Sequence, residues 1–278
     1  MTRTLLFTAL CALSLAAGAQ CKTSLPLSGI EPVKSCDPKT AACVEPQQAV
    51  IEYGKKLEGN DDPAHLNMFV QASPWRFYDP EFRILTAEEL AATIKPWISQ
   101  GVKRVQLVAS WTGVRPESGT PSLAERVGKA LGEIPVSGAD GFLWIAPDGK
   151  LRTTRQAATI MQGGRYLIAQ GDEVLMSLAA GWPANFFDEF ARDKNAEGVL
   201  RAAAGWDLYM LCPDRALQAF EYGARLNHPI AAYNAALMRL DRGQPGDVEA
   251  ATALLSRAAD TGDAKVRARL EALRSTGR

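Results

Sequence analysis

Near its C-terminal end the chain repeats itself at an interval of about 35 residues, a period that belongs to stacked helical units. Ala216-Leu-Gln-Ala-Phe-Glu-Tyr-Gly-Ala-Arg-Leu-Asn227 aligns with Ala251-Thr-Ala-Leu-Leu-Ser-Arg-Ala-Ala-Asp-Thr-Gly262. Small residues fall at matched points: Ala216 with Ala251, Ala224 with Ala259, Asn227 with Gly262. Each unit of helix, turn and helix cannot bury its own apolar face alone, so neighbours must stack. Such stacks present a concave surface to a partner. The pattern therefore points first to binding and only second to chemistry.

Helical spacing runs through the whole C-terminal third. Residues 183–191 and 196–211 come first, with Leu200, Ala203, Trp206 and Met210 at helical intervals. Pro213-Asp214 opens a helix to about residue 224, and Pro229 opens another that carries Ala232, Tyr233, Ala236, Leu237 and Leu240. Residues 248–259 and 264–273 complete the set. Lys265, Arg267, Arg269 and Arg274 make the last helix a polar cap. The segments Gly223-Ala-Arg-Leu-Asn-His-Pro229, Ala232-Tyr-Asn-Ala-Ala-Leu-Met238, Gly243-Gln-Pro-Gly-Asp247 and Arg257-Ala-Ala-Asp-Thr-Gly-Asp-Ala264 resemble the SEL-like repeat, a relative of the tetratricopeptide repeat. The resemblance covers residues 196–274. It implies an all-α domain over 182–278 whose inner helices contact another protein through Tyr209, Tyr233, Asn234 and Met238. The competing reading of Tyr233 and Met238 is packing between helices. His228 reads as a turn residue ahead of Pro229.

The other end of the chain carries an address. Arg3 precedes an apolar run over residues 5–17, and Ala17-Gly18-Ala19 supplies small residues for cleavage, so residues 1–19 read as a signal peptide. The expected location is periplasmic or secreted. A lipoprotein anchored at Cys21 is the lesser alternative, because Gln20 fits a lipobox poorly. Cys11 leaves with the leader. Cys21, Cys36, Cys43 and Cys212 remain, an even number in an oxidising compartment, which suggests two disulfides. The short Pro-containing loop between Cys36 and Cys43 favours that pairing, leaving Cys21 with Cys212. No metal site or cofactor is expected: the cysteines lack metal spacing and the chain has 2 histidines. The 31 basic and 31 acidic residues balance, without a long basic run, so neither nucleic acid nor a polybasic membrane contact is expected. No later apolar run is long enough to span a bilayer.

Between the disulfide-containing extension (20–60) and the helices, residues 61–181 alternate strand and helix signals. The strand signals are 66–70, 102–109 and 134–136. Thr86-Ala-Glu-Glu89 is a capping box opening a helix to about 99, with Pro96 inside it, and 122–131 is a second helix. Residues 142–145 and 150–152 flank a Pro-Asp-Gly turn, and 165–168 pairs with 173–178 as another hairpin. Gly163-Gly164 reads as a turn. This alternation predicts a mostly parallel sheet with antiparallel additions.

Trp111-Thr-Gly113, Ser122-Leu-Ala-Glu-Arg-Val-Gly-Lys-Ala-Leu-Gly132 and Ile134-Pro-Val-Ser-Gly138 together resemble caspase-like α/β domains of bacterial toxins and self-processing modules. The resemblance covers residues 64–145 and implies a cysteine after the second strand and a histidine after the first. Here those positions hold Ser110 and Gln71. A serine nucleophile needs a base within hydrogen-bond reach. His65 starts its strand, whereas Ser110 follows the end of the next, which puts them roughly 15 Å apart at about 3.3 Å per residue. The site therefore reads as degenerate, with no catalytic residues. His65 reads as a surface residue. Asp79 and Glu81, beside Arg76 and Arg83, read as a solvated salt-bridge cluster. Trp75, Arg76 and Tyr78, with Trp111 and Arg115, are candidates for a loop site at the carboxyl rim of the sheet.

The expectation that follows is a non-enzymatic exported protein that binds another protein, with neutralisation of a secreted toxin enzyme (immunity) as its suggested role. The alternatives are an envelope hydrolase using Ser110 and a regulator of an envelope enzyme.

Overall fold

The computed structural model describes residues 52–145, 148–154, 159–160, 166–167, 184 and 186–276. The leader, Cys21, Cys36, Cys43, Gly163-Gly164 and the segment 173–178 lie outside the described residues.

Three strands form a parallel sheet in the order β1 (His65–Phe69), β5 (Arg104–Val108), β6 (Val136–Ser137). The register runs from His65 opposite Arg104 to Phe69 opposite Val108, and Val105 lies opposite Val136. Strand alternation sorts the side chains. Leu66, Met68, Val105 and Leu107 join the core beneath helices α1 (Ala87–Ser99) and α2 (Leu123–Ala130). Asn67 takes the other face, where its amide donates to Glu58 O and Asn60 Oδ1. Both helices open on reciprocal capping boxes, Thr86 with Glu89 and Ser122 with Glu125. Pro96 does not end α1: it and Ala92, four residues earlier, are exposed, so the missing backbone bond falls toward solvent.

Residues 71–85, expected as an aromatic loop, instead form an antiparallel sheet of β2 (Gln71–Ala72), β3 (Phe77–Tyr78) and β4 (Ile84–Leu85). Strands β7 (Phe142–Ile145) and β8 (Leu151–Thr154) make the hairpin predicted around the Pro-Asp-Gly turn. Tyr166–Leu167 (β10) pairs with Thr159–Ile160 (β9); the segment 173–178 expected opposite it lies outside the described residues.

Six helices follow among the described residues: α3 (Phe187–Arg192), α4 (Ala196–Leu208), α5 (Pro213–Arg225), α6 (Pro229–Arg242), α7 (Asp247–Ala259) and α8 (Ala264–Thr276). Sequence neighbours pack on one another from α4 to α8. Alanines 203, 216, 224, 232, 236, 251 and 258 are all buried between them, which lets the helix axes approach closely. No helix among the described residues is long and apolar enough to cross a membrane. Cys212, buried at the start of α5, is disulfide-bonded, with its partner outside the described residues.

The helices and the α/β part share their interior. Tyr78 and Ile84 from the β3–β4 hairpin belong to the same core as Leu200, Phe220, Tyr233 and Leu255. A smaller core joins Trp111, Phe142 and Trp144 to Leu211. Asn234 holds the hairpin directly: its Oδ1 accepts from Ile84 N at 2.9 Å and its Nδ2 donates to Phe82 O at 2.7 Å. Phe82 sits at a φ of 61°, a left-handed conformation this clamp helps to hold.

Asn234→Leu leaves both of these hairpin backbone groups unpaired. At about 1–3 kcal/mol per buried orphan, it is expected to cost on the order of 2–5 kcal/mol. Urea denaturation should show a lower midpoint at unchanged slope. A midpoint equal to that of the unaltered protein would refute the clamp.

Candidate functional site

A cavity of about 550 Å³ opens where β1 and β5 end. Its floor is the last stretch of those strands and the residues just beyond: Phe69, Val70 and Gln71 from one, Val108, Ala109 and Ser110 from the other. Gln71 and Ser110 each stand two residues past the last registered pair, Phe69 with Val108. The two positions where a caspase-like pattern carries its histidine and cysteine thus share one rim. The walls come from elsewhere. Tyr78 and Asp79 belong to the hairpin, Leu143 and Ile145 to β7, and Leu208 and Tyr209 to the end of α4. The carboxyl edge of a parallel sheet is where α/β domains hold ligands, because the loops leaving adjacent strands diverge there.

Local backbone geometry presents Ser110. The next residue, Trp111, adopts a φ of 65°, unusual for a side chain of that size, and turns the chain sharply off β5. Surrounding contacts over-determine this conformation. Trp111 N donates to Gly141 O at 2.8 Å, and the indole meets Phe142 edge-on at 5.1 Å between ring centroids. Gly113 N donates to Ala139 O at 2.8 Å. A Cβ on Gly138 would stand 2.4 Å from Thr112 Oγ1, so the small residues after each strand are required by this approach of two loops. Ser110 Oγ accepts from Leu143 N at 3.0 Å, which ties the rim to β7.

Both histidines of the chain are occupied away from this rim. His65 begins β1, at the opposite end of the sheet. Its Nδ1 accepts from Arg104 Nε at 2.8 Å, and its Nε2 lies 3.1 Å from Asn67 Oδ1. His228 caps α6 and reaches Glu197 with Nε2 at 3.3 Å. The only charged side chain among the described lining residues is Asp79. Burial raises its pKa above the usual carboxylate value, against the lowering by hydrogen bonds from the backbone of Arg83 and Glu81. No group of three or more metal-ligating side chains occurs among the described residues.

The expected rim site of Trp75, Arg76, Tyr78, Trp111 and Arg115 is not assembled. Trp111 is fully buried and Trp75 packs against its core. Arg76 is buried too: its Nη1 donates to Asp207 Oδ1 at 2.7 Å, and Tyr78 Oη donates to Asp207 Oδ2 at 2.9 Å. Arg115 is exposed and bound to Glu125, whose carboxyl that bond, with the Ser122 backbone, pulls down to about 2. Of the five, Tyr78 alone lines the cavity. Of the solvated cluster expected of Arg76, Asp79, Glu81 and Arg83, Arg76 turns inward to Asp207. Arg83 stays 3.9 Å from Asp79 and also bonds Asp263 at 2.7 Å.

The partner-binding set is likewise corrected. Tyr233 is 1% exposed, Asn234 0% and Met238 4%, so none of them offers a surface to another molecule. The inner helix face they occupy is filled by the chain's own hairpin. Tyr209 is the exception in the set, since its side chain lines the cavity. Sequence reading missed Asp207, the cavity walls from β7 and the contribution of α4. The one available signal was Asp207 itself, a carboxylate in the otherwise apolar run 202–208.

No family model matches the chain, and no curated protein or solved structure matches it.

Burial pushes Tyr209 up to about 12. Burial, aided by the charge of Glu89, does the same for Tyr233, and burial with Asp207 beside it carries Tyr78 well above the ordinary phenol value. A raised folded-state pKa stabilises fully below the unfolded value near 10, and that contribution is lost as pH climbs through the folded value. Alkaline titration followed by phenolate absorbance should therefore leave Tyr78, Tyr209 and Tyr233 protonated at pH about 11. Their contribution to stability should fall only above pH about 10. Ionisation of these three near pH 10, with the fold intact, would contradict the burial of their rings.

Proposed function

We propose that this chain is an exported binding protein of the cell envelope, in which a caspase-like scaffold serves as a ligand site and not as a catalyst. The observation that carries the reading is the strand-end rim. Gln71 and Ser110 stand at the two positions such a scaffold uses for chemistry. They line an apolar cavity whose described lining contains no histidine, cysteine, lysine or arginine. A serine hydroxyl without a base in hydrogen-bond reach is a weak nucleophile at neutral pH. This one is further engaged by Leu143 N.

In this reading the helical units, taken as SEL-like repeats, are a buttress. Their inner face grips the β3–β4 hairpin through Asn234, and the hairpin in turn carries Tyr78 into the cavity wall. A protein partner, whether a secreted toxin enzyme or an envelope enzyme, would engage surfaces other than Tyr233, Asn234 and Met238.

A fluorophosphonate probe that reacts with activated serines separates the binding reading from the hydrolase reading. Incubation of the purified protein is expected to give no adduct by intact mass spectrometry. A stoichiometric adduct on Ser110, absent from Ser110→Ala, would make the protein a serine hydrolase.

A further inference from the structure

The strand-end cavity is larger than any one side chain of a partner needs and lies within the range of small-molecule sites, about 300–1,000 Å³. Its interior polar inventory is short. Gln71 Oε1 is buried and has no hydrogen-bond partner, an acceptor that folding leaves unpaid. Ser110 Oγ already accepts from Leu143 N and keeps its own proton to donate. The remaining described surface around them is largely aliphatic and aromatic, with Asp79 toward one side. An extended peptide would bring one amide donor and one carbonyl acceptor per residue into this space. Most would go unsatisfied, at a cost of about 1–3 kcal/mol each. An anionic head group would face Asp79 with no cation in the described lining to pair it. A neutral head that both donates and accepts matches Gln71 and Ser110 together.

We propose that this cavity binds a neutral amphiphile: an aliphatic or aromatic body with one hydroxyl or carboxamide end, the end seated between Gln71 and Ser110. This rests on the binding reading of the rim given above. Exposed Phe69, at 44% exposure, and exposed Thr93 mark the mouth through which the apolar body enters. The ligand-free protein thus carries one orphan acceptor that the ligand's donor would satisfy, which gives the site its preference for a donating head.

The test uses N-phenyl-1-naphthylamine, a neutral, apolar fluorophore with one N–H. Its fluorescence is expected to rise on mixing with the purified protein and to saturate at one site per chain. Decan-1-ol is expected to displace it at concentrations at least tenfold lower than decanoate at neutral pH. Gln71→Leu should keep fluorophore binding and reduce the alcohol's advantage severalfold, because the acceptor is gone and the apolar volume is kept. Thr93→Trp, at an exposed position where folding is insensitive, should block the mouth and weaken binding at least tenfold. Failure of the fluorophore to bind overturns the proposal. So does decanoate competing as well as decan-1-ol, or binding unchanged in Thr93→Trp. Each of these leaves the non-catalytic reading in place, whereas a fluorophosphonate adduct on Ser110 overturns that reading and leaves the fluorophore result unaffected.

Discussion

The structure turns on one buried carboxylate. Asp207 sits within α4 with no solvent exposure and accepts from Arg76 and from Tyr78, both on the far segment 71–85. Taking a carboxylate and a guanidinium out of water costs several kcal/mol per ion, recovered only when the geometry is good and the remaining hydrogen bonds are made. Here they are nearly complete: Asp241 supplies Arg76 with a second carboxylate at 3.6 Å, and Arg76 Nε alone is left over. Misplacing the hairpin would strand these charges, so the pair selects one docking of the hairpin on the helices. Asn234 then fixes the hairpin backbone from α6.

The cavity follows from that docking. Tyr78 comes from the hairpin, Leu208 and Tyr209 from the residues just after Asp207, and Ser110 from the end of β5. No single element encloses the space. It exists because the Arg76–Asp207 contact brings the helices over the carboxyl edge of the sheet. The helical part therefore shapes the cavity from inside the molecule, as a wall and a clamp, and its inner face is occupied by the chain's own hairpin.

Local signals in the sequence located most elements. The capping boxes at Thr86 and Ser122, the prolines opening α5 and α6 and the Pro-Asp-Gly turn are short-range signals, and each lies where its element begins or turns. The segment 71–85 was misread because its strands are two residues each, too short to show alternation, and its Trp75 and Tyr78 looked like parts of a loop site. Arg76 and Asp207 lie 131 residues apart, and nothing local in either announces the other. The same distance hid the fate of Asn234 and Tyr233. Mid-helix polar and aromatic residues suit a contact surface, and they do make a contact, but with Ile84 and Phe82 rather than with another molecule. The pairing of Gln71 with Ser110 at one rim was legible, because two parallel strands of similar length end side by side.

The most direct measurement is a double-mutant cycle on Arg76 and Asp207, read by chemical denaturation. Arg76→Met alone should cost about 3–5 kcal/mol, because it leaves a buried carboxylate without its cation. In an Asp207→Asn background, which removes that charge and keeps an acceptor for Tyr78, the same substitution should cost far less. Equal costs in the two backgrounds would mean that the pair neither holds the hairpin to the helices nor sets the cavity between them.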